Sequence, residues 1–302
     1  MRVKTFYRLV KNSIVAWQED NASSMGAAIA FYTVFSIAPL LIIVIAVAGF
    51  VWGEDAVQGE IFRQLGGLVG SDGASGVQEL IKSANKPAQG MTAGIISVIF
   101  LIIGSTTVFA ELQSALDRIW RVPSKQVSGI WNTVRARLLS FGLVLGLAFL
   151  LLVSLVVSAA LAVLGQWTGG LFPGWEILLQ VLNSLVSVSI AAVLFAMIYK
   201  FMPQAKINWR DVWVGAIVTA ILFEIGKSLI ALYVGKSSTI SSLTAAGSVV
   251  VVLIWVYYAA QVFLLGAEFT WIYANHYGSR ASSNEPTDRN EPTDRNDSMT
   301  PP

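Results

Sequence analysis

From Ala27 to Trp52 the chain reads AAIAFYTVFSIAPLLIIVIAVAGFVW, without one charged side chain. About 20 helical residues cross a hydrocarbon core about 30 Å thick, so this stretch spans it with some tilt. Water is absent there, and a helix satisfies every backbone N–H and C=O within its own segment. Pro39, near the middle, removes one donor and predicts a kink. Five further stretches repeat the pattern, near 91–113, 138–164, 177–199, 212–234 and 247–273. The reading is an all-α polytopic membrane protein, a bundle of six transmembrane helices with interfacial amphipathic helices.

The segments between the spans have their own patterns. In residues 4–20, Phe6, Leu9, Val10, Ile14 and Trp17 recur at helical spacing beside Lys4, Arg8 and Lys11. Two readings are open: a helix lying in the lipid interface, and one packed on the protein's own inner face. In the 53–90 connection, Ser75 and Gln78 form a capping box for a short helix carrying Val77, Leu80 and Ile81. The GGLVGSDGASG run before it reads as flexible. One or two amphipathic helices are expected there, resting on the outer surface or covering a central opening. Helix two is expected to run on to Val122, where Pro123 stops it, with Asp117 and Arg121 spaced to pair. NEPTDR repeats in tandem at 284–289 and 290–295. That polar, proline-bearing end has no apolar period and predicts disorder. The organisation is a membrane domain over 1–278 and a disordered cytoplasmic tail over 279–302.

Composition agrees and charge adds orientation. The 302 residues are 55% hydrophobic and 13% charged, with mean hydropathy +0.66. Residues 1–26, 114–137, 200–211 and 274–302 hold fifteen Lys and Arg, the alternate connections four. Both termini are therefore expected in the cytoplasm. Nine of the ten tryptophans, all but Trp255, fall at or near span ends, as an aromatic belt requires. Residues 1–20 carry charge throughout and lack the apolar core of a cleavable signal. A net charge of +2 is too small for a nucleic-acid binder. With no cysteine and His276 alone among histidines, thiolate chemistry is excluded and a metal centre is not expected.

Polar residues inside the spans are the candidates for function, because each is costly to bury in lipid. Glu224 lies about 18 Å along the fifth span from Val212, near mid-bilayer, and Lys227 follows nearly one turn later. The two read either as a contact for an ion or solute or as a structural pair. Tyr257, Gln261 and Glu268 share one face of the sixth span. Asn183 lies on a polar face of the fourth with Gln180, Ser184 and Ser187, Tyr32 precedes Pro39 on the first, and Glu111 ends the second. Each stripe alone reads as interhelical glue; together they outline a polar cavity. GKS at 226–228 and 235–237 lacks the upstream glycine of a phosphate loop. No HExxH or GxSxG occurs either, so no enzyme is expected.

Four blocks resemble a known family: AAIAFYTVFSIAPLL at 27–41, GSTTVFAELQSALDRIWRV at 104–122, MPQAKINWRDVWVGAIVTAILFEIGK at 202–227 and GSVVVVLIWVYYAAQVFLLGAEFTWIYA at 247–274. The chain is similar, over roughly residues 5–275, to the YihY/virulence factor BrkB family, formerly mislabelled ribonuclease BN. The resemblance implies six transmembrane helices in an inner membrane with both ends cytoplasmic. It implies no catalytic residue and no cofactor, and members are described as uncharacterised, as transporters or as factors in envelope resistance. The expected function is a transporter or pore for a small solute or lipid-related molecule; the alternative is an envelope scaffold without transport activity. The partners expected are membrane lipid and an unknown small solute, with a second copy or another membrane protein left open.

Overall fold

The computed structural model describes residues 3–84, 107–123, 175–236 and 245–281, and all the regular structure there is helical. The helices are α1 (Val3–Glu19), α2 (Ala22–Trp52), α3 (Glu54–Ala84), α4 (107–119), α5 (Trp175–Phe201), α6 (Trp209–Lys236) and α7 (Ala245–His276). Three carry stretches long and apolar enough to cross a membrane: Val181–Phe201 in α5, Trp209–Ile230 in α6 and Val249–His276 in α7. α2 adds the shorter apolar stretch Ala22–Ile37, and its helix continues through Pro39 to Trp52. α2, α5, α6 and α7 lie over the expected spans 27–52, 177–199, 212–234 and 247–273, the last three as candidate membrane spans and α2 with only the shorter apolar stretch. The expected span 138–164, most of 91–113 and the tail from 282 lie outside the described residues.

α7, not the first span, is the axis of the described bundle. α1, α2, α3 and α6 all pack on it, and α5 packs on α6. Its interior face is built of small residues: Ala260, Ala267 and Ala274 are buried beside Ala22 of α2 and Ala216 of α6. Small residues let backbones approach closely where lipid supplies no hydrophobic drive between helices. At Gly266 an added Cβ would meet the Thr219 hydroxyl, at Gly215 that of Thr270, and at Gly226 the Tyr258 ring. The sequence could not rank α7 above α2, because both are apolar on every side.

α3 corrects the expectation for the 53–90 connection. It is one helix of 31 residues, about 46 Å long, and the GGLVGSDGASG run lies inside it. The chain reverses at Gly53 (φ 87°) and α3 returns along α2. Val77 and Ile81 thereby join Val34 of α2 and Val252 of α7 in one apolar cluster. The glycines have a packing reason: Gly73, Ala74, Gly76 and Val77 are all buried, so a bare backbone face meets the bundle. Ser75 therefore sits mid-helix and not at a helix start.

Candidate functional site at the α1 end of α7

α1 lays Leu9, Ser13 and Ala16 against Phe269 and Ile272 of α7, so one face of it packs on the protein. The other face leaves Tyr7, Ile14 and Val15 exposed. α1 ends in a tight turn whose pivot is Asn21, with φ 54° and ψ 41°. Asn is among the few residues that enter the left-handed region readily, through a short polar side chain. The turn carries Asp20 to the flank of α7.

Across from it stands Glu268. Its side chain is fully buried, and neither carboxyl oxygen has a hydrogen-bond partner among the described residues. Asp20, at the α1–α2 junction, acts on it as a like charge, and its Oδ2 is likewise buried without a donor. Two ionised carboxylates are both acceptors and cannot bond one another. Burying such a group uncompensated costs several kcal/mol, so this is the least satisfied point in the described bundle.

The nearby cation is turned elsewhere. Arg121 follows α4 in a left-handed conformation (φ 52°), a position usually given to glycine. Val122 N–H donates to Asp117 O at 2.9 Å and Arg121 N–H to Arg118 O at 3.0 Å, the two bonds of a Schellman ending. α4 thus stops at this cap, before Pro123. The strained backbone aims the guanidinium over the Trp271 ring, 4.6 Å from its centroid. There it acts on Glu268 through space without bonding to it. The expected Asp117–Arg121 pairing does not form. Asp117 instead accepts from the Gln204 N–H at 2.7 Å, and partial burial lifts its carboxyl above the ordinary aspartate range while that bond pulls it back.

Two turns before Glu268 on the same face, Gln261 donates from Nε2 to Ser23 O at 3.2 Å, while its Oε1 is buried without a donor. Gly26 makes room for it, since an added Cβ there would meet the amide. The indole N–H groups of Trp17 and Trp120 are also buried without acceptors among the described residues. Unmet polar atoms therefore gather where α1, α2, α4 and α7 converge.

Several other polar groups in the bundle are satisfied, although the Trp255 indole N–H is buried without an acceptor among the described residues. Tyr199 is fully buried, donates to Phe263 O at 2.7 Å and lies 3.1 Å from the Thr219 hydroxyl, tying α5, α6 and α7 together. Buried Asp211, in the first turn of α6, accepts from the Ser279 hydroxyl at 2.5 Å and so holds the end of α7. Arg280 donates to Lys206 O at 2.9 Å and covers the Trp120 ring, with 5.1 Å from guanidinium to centroid.

The expected site residues fall into two groups. Gln261 and Glu268 lie in the convergence just described. Glu224 and Lys227 form an ion pair of 2.7 Å within α6, each side chain about a quarter exposed (26% and 25%). Tyr257 and Asn183 are exposed, the latter beside exposed Leu182 and Leu185 on α5. Tyr32 is half-buried, edge-on to Phe31, and its carbonyl accepts from Ser36. Glu111 is half-buried on α4, nine residues and about 13 Å before Trp120.

The sequence profile described as Virulence factor BrkB matches residues 13–291, nearly the whole chain. The chain belongs to that family. Among its relatives is a UPF0761 membrane protein of Ralstonia nicotianae, 28% identical over 82% of this chain and 55% of its own length. One from Alteromonas mediterranea is 27% identical over 94% of this chain and 97% of its own. A third, from Pseudomonas aeruginosa, is 29% identical over 82% and 58%. The chain thus spans a little over half the length of two of these relatives and nearly all of the other. No solved structure matches it.

In this BrkB-family chain the sequence alone missed Asp20, and it took Arg121 for a topology charge. Both flank spans, where acidic and basic residues are ordinary. The one available signal was Asn21 after Asp20, a residue suited to a left-handed turn.

Proposed function

We propose that this BrkB-family membrane protein moves a small polar or lipid-related solute across the inner membrane, with both termini in the cytoplasm. The observation that supports it is Glu268, a fully buried carboxyl with neither oxygen hydrogen-bonded among the described residues. A group left so costly to bury within a membrane helix is by default a functional one. Arg121, the cation that acts on Glu268, is itself exposed.

The test is solute flux into proteoliposomes over a broad panel, with empty vesicles as control. Wild-type protein should move at least one solute above the control, and Glu268→Gln should reduce that flux at least about tenfold, equivalent to about 1.4 kcal/mol of barrier, with thermal stability retained. Unchanged flux in a folded Glu268→Gln would remove Glu268 from the pathway. No flux from any solute would favour the scaffold reading, which the Tyr199 knot and the Glu224–Lys227 pair also suit.

A further inference from the structure

We infer that Asp20 and Glu268 form a binding site for one monovalent cation, a proton or an alkali-metal ion. Arg121 is its tethered competitor. This deepens the transport reading and rests on it for any coupling to solute movement, although the site itself is measurable without flux.

The charge count sets the valence. Among the described residues, the charged groups acting on Glu268 are Asp20 and Glu19 from the α1–α2 junction and Arg121 from the end of α4. Glu19 and Arg121 are exposed, whereas Glu268 is fully buried and one Asp20 oxygen is sealed with it. Exposed Glu19 and Arg121 offset one another, which leaves the two inward carboxyls. One proton or one monovalent cation shared between them leaves a single buried charge in place of two. No group of three or more acidic, His or Cys side chains suited to a metal ion exists among the described residues, which disfavours a divalent site.

The donors agree with this assignment. Three oxygens at the convergence, Asp20 Oδ2 and both of Glu268, are buried without a donor. Hard cations and protons are taken by such oxygens, and an anion or apolar ligand is not. Gln261 Oε1 offers a further free oxygen two turns along the same face of α7, the next foothold along the bundle.

Arg121 explains how the site could empty. Its guanidinium rests on Trp271 rather than on either carboxyl. It is held there by a left-handed backbone that is costly for a non-glycine residue. A bound cation makes that placement tolerable by removing one of the pair's two charges, and loss of the cation draws the guanidinium inward. Binding and the α4 ending are thereby coupled.

The test uses purified full-length protein in detergent, with NaCl or KCl exchanged for N-methyl-D-glucamine chloride at constant ionic strength and pH scanned separately. For an alkali ion, the unfolding midpoint should rise by about 5 °C at a hundredfold excess over Kd. For a proton, the midpoint should follow pH and ignore the salt's cation. Either response should vanish in Glu268→Gln, whose neutral amide stands in for the occupied carboxyl, and Asp20→Asn should weaken it at least tenfold in apparent affinity. If neither single variant folds, the wild-type response to Na⁺, K⁺ and pH still decides. A wild-type midpoint indifferent to cation identity and pH would overturn the inference, as would a response that persists in folded Glu268→Gln. Cation binding without flux would leave this site standing and sink the transport reading; flux without cation binding would do the reverse.

Discussion

Glu224 and Glu268 are both carboxylates within long apolar helices, and what separates them is the neighbour each finds. Glu224 meets Lys227 one turn on, at 2.7 Å, so its charge is compensated before any other helix is involved. Glu268 has no such partner on α7 and depends on what tertiary packing brings. The expected outcome follows: Glu224→Gln with Lys227→Met should unfold near the parent midpoint and keep full flux. Each single change should be worse than the double, with a coupling energy of about 0.5–3 kcal/mol. Thermal unfolding and flux for the two singles and the double check this. A folded double variant without flux would return Glu224 to the mechanism.

At the scale of elements, the junctions carry as much information as the helices. Both non-glycine residues with positive φ among the described residues, Asn21 and Arg121, end helices beside Glu268. The turn at Asn21 decides whether Asp20 faces α7. Asn21→Gly should therefore leave stability and cation response nearly unchanged, because glycine enters this region freely. Asn21→Val should cost about 1–2 kcal/mol or more, since a β-branched side chain clashes there. Its unfolding midpoint should fall by a few degrees and its cation response should weaken, because Asp20 is displaced. Equal behaviour of the two variants would show that the turn does not position the site.

For the whole molecule, α7 gathers the other helices, and the polar clamps lie at its α1 end: Asp211 with Ser279, Asp117 with Gln204 and Arg280 with the Lys206 carbonyl. Gly53, the reversal between α2 and α3, is the far tip of the first hairpin. From the fifteen-to-four basic distribution we propose that the α1 end faces the cytoplasm. Reporter domains fused at Gly53 and after Ala281 should therefore report opposite sides of the membrane, the second cytoplasmic. The same side for both would overturn the orientation.

The membrane class, the helices and three of the expected spans were legible along the chain, because lipid demands long uncharged runs whatever packs around them. The Glu268 stripe was legible as well, since helical spacing alone puts Gln261 and Glu268 on one face. The helical state of the glycine run in α3 was not, because its cause is burial against α2 and α7 rather than local propensity. Nor could the chain show that Asn183 faces outward while Glu268 faces inward: each lies on a polar stripe, and a stripe does not say which neighbour it meets. That Glu268 meets Asp20, 248 positions earlier, was decided by tertiary packing alone, whereas the Glu224–Lys227 pair was legible in its spacing. A local pair needs one helical turn, whereas Asp20 and Glu268 meet only once α1, the Asn21 turn and α7 have docked.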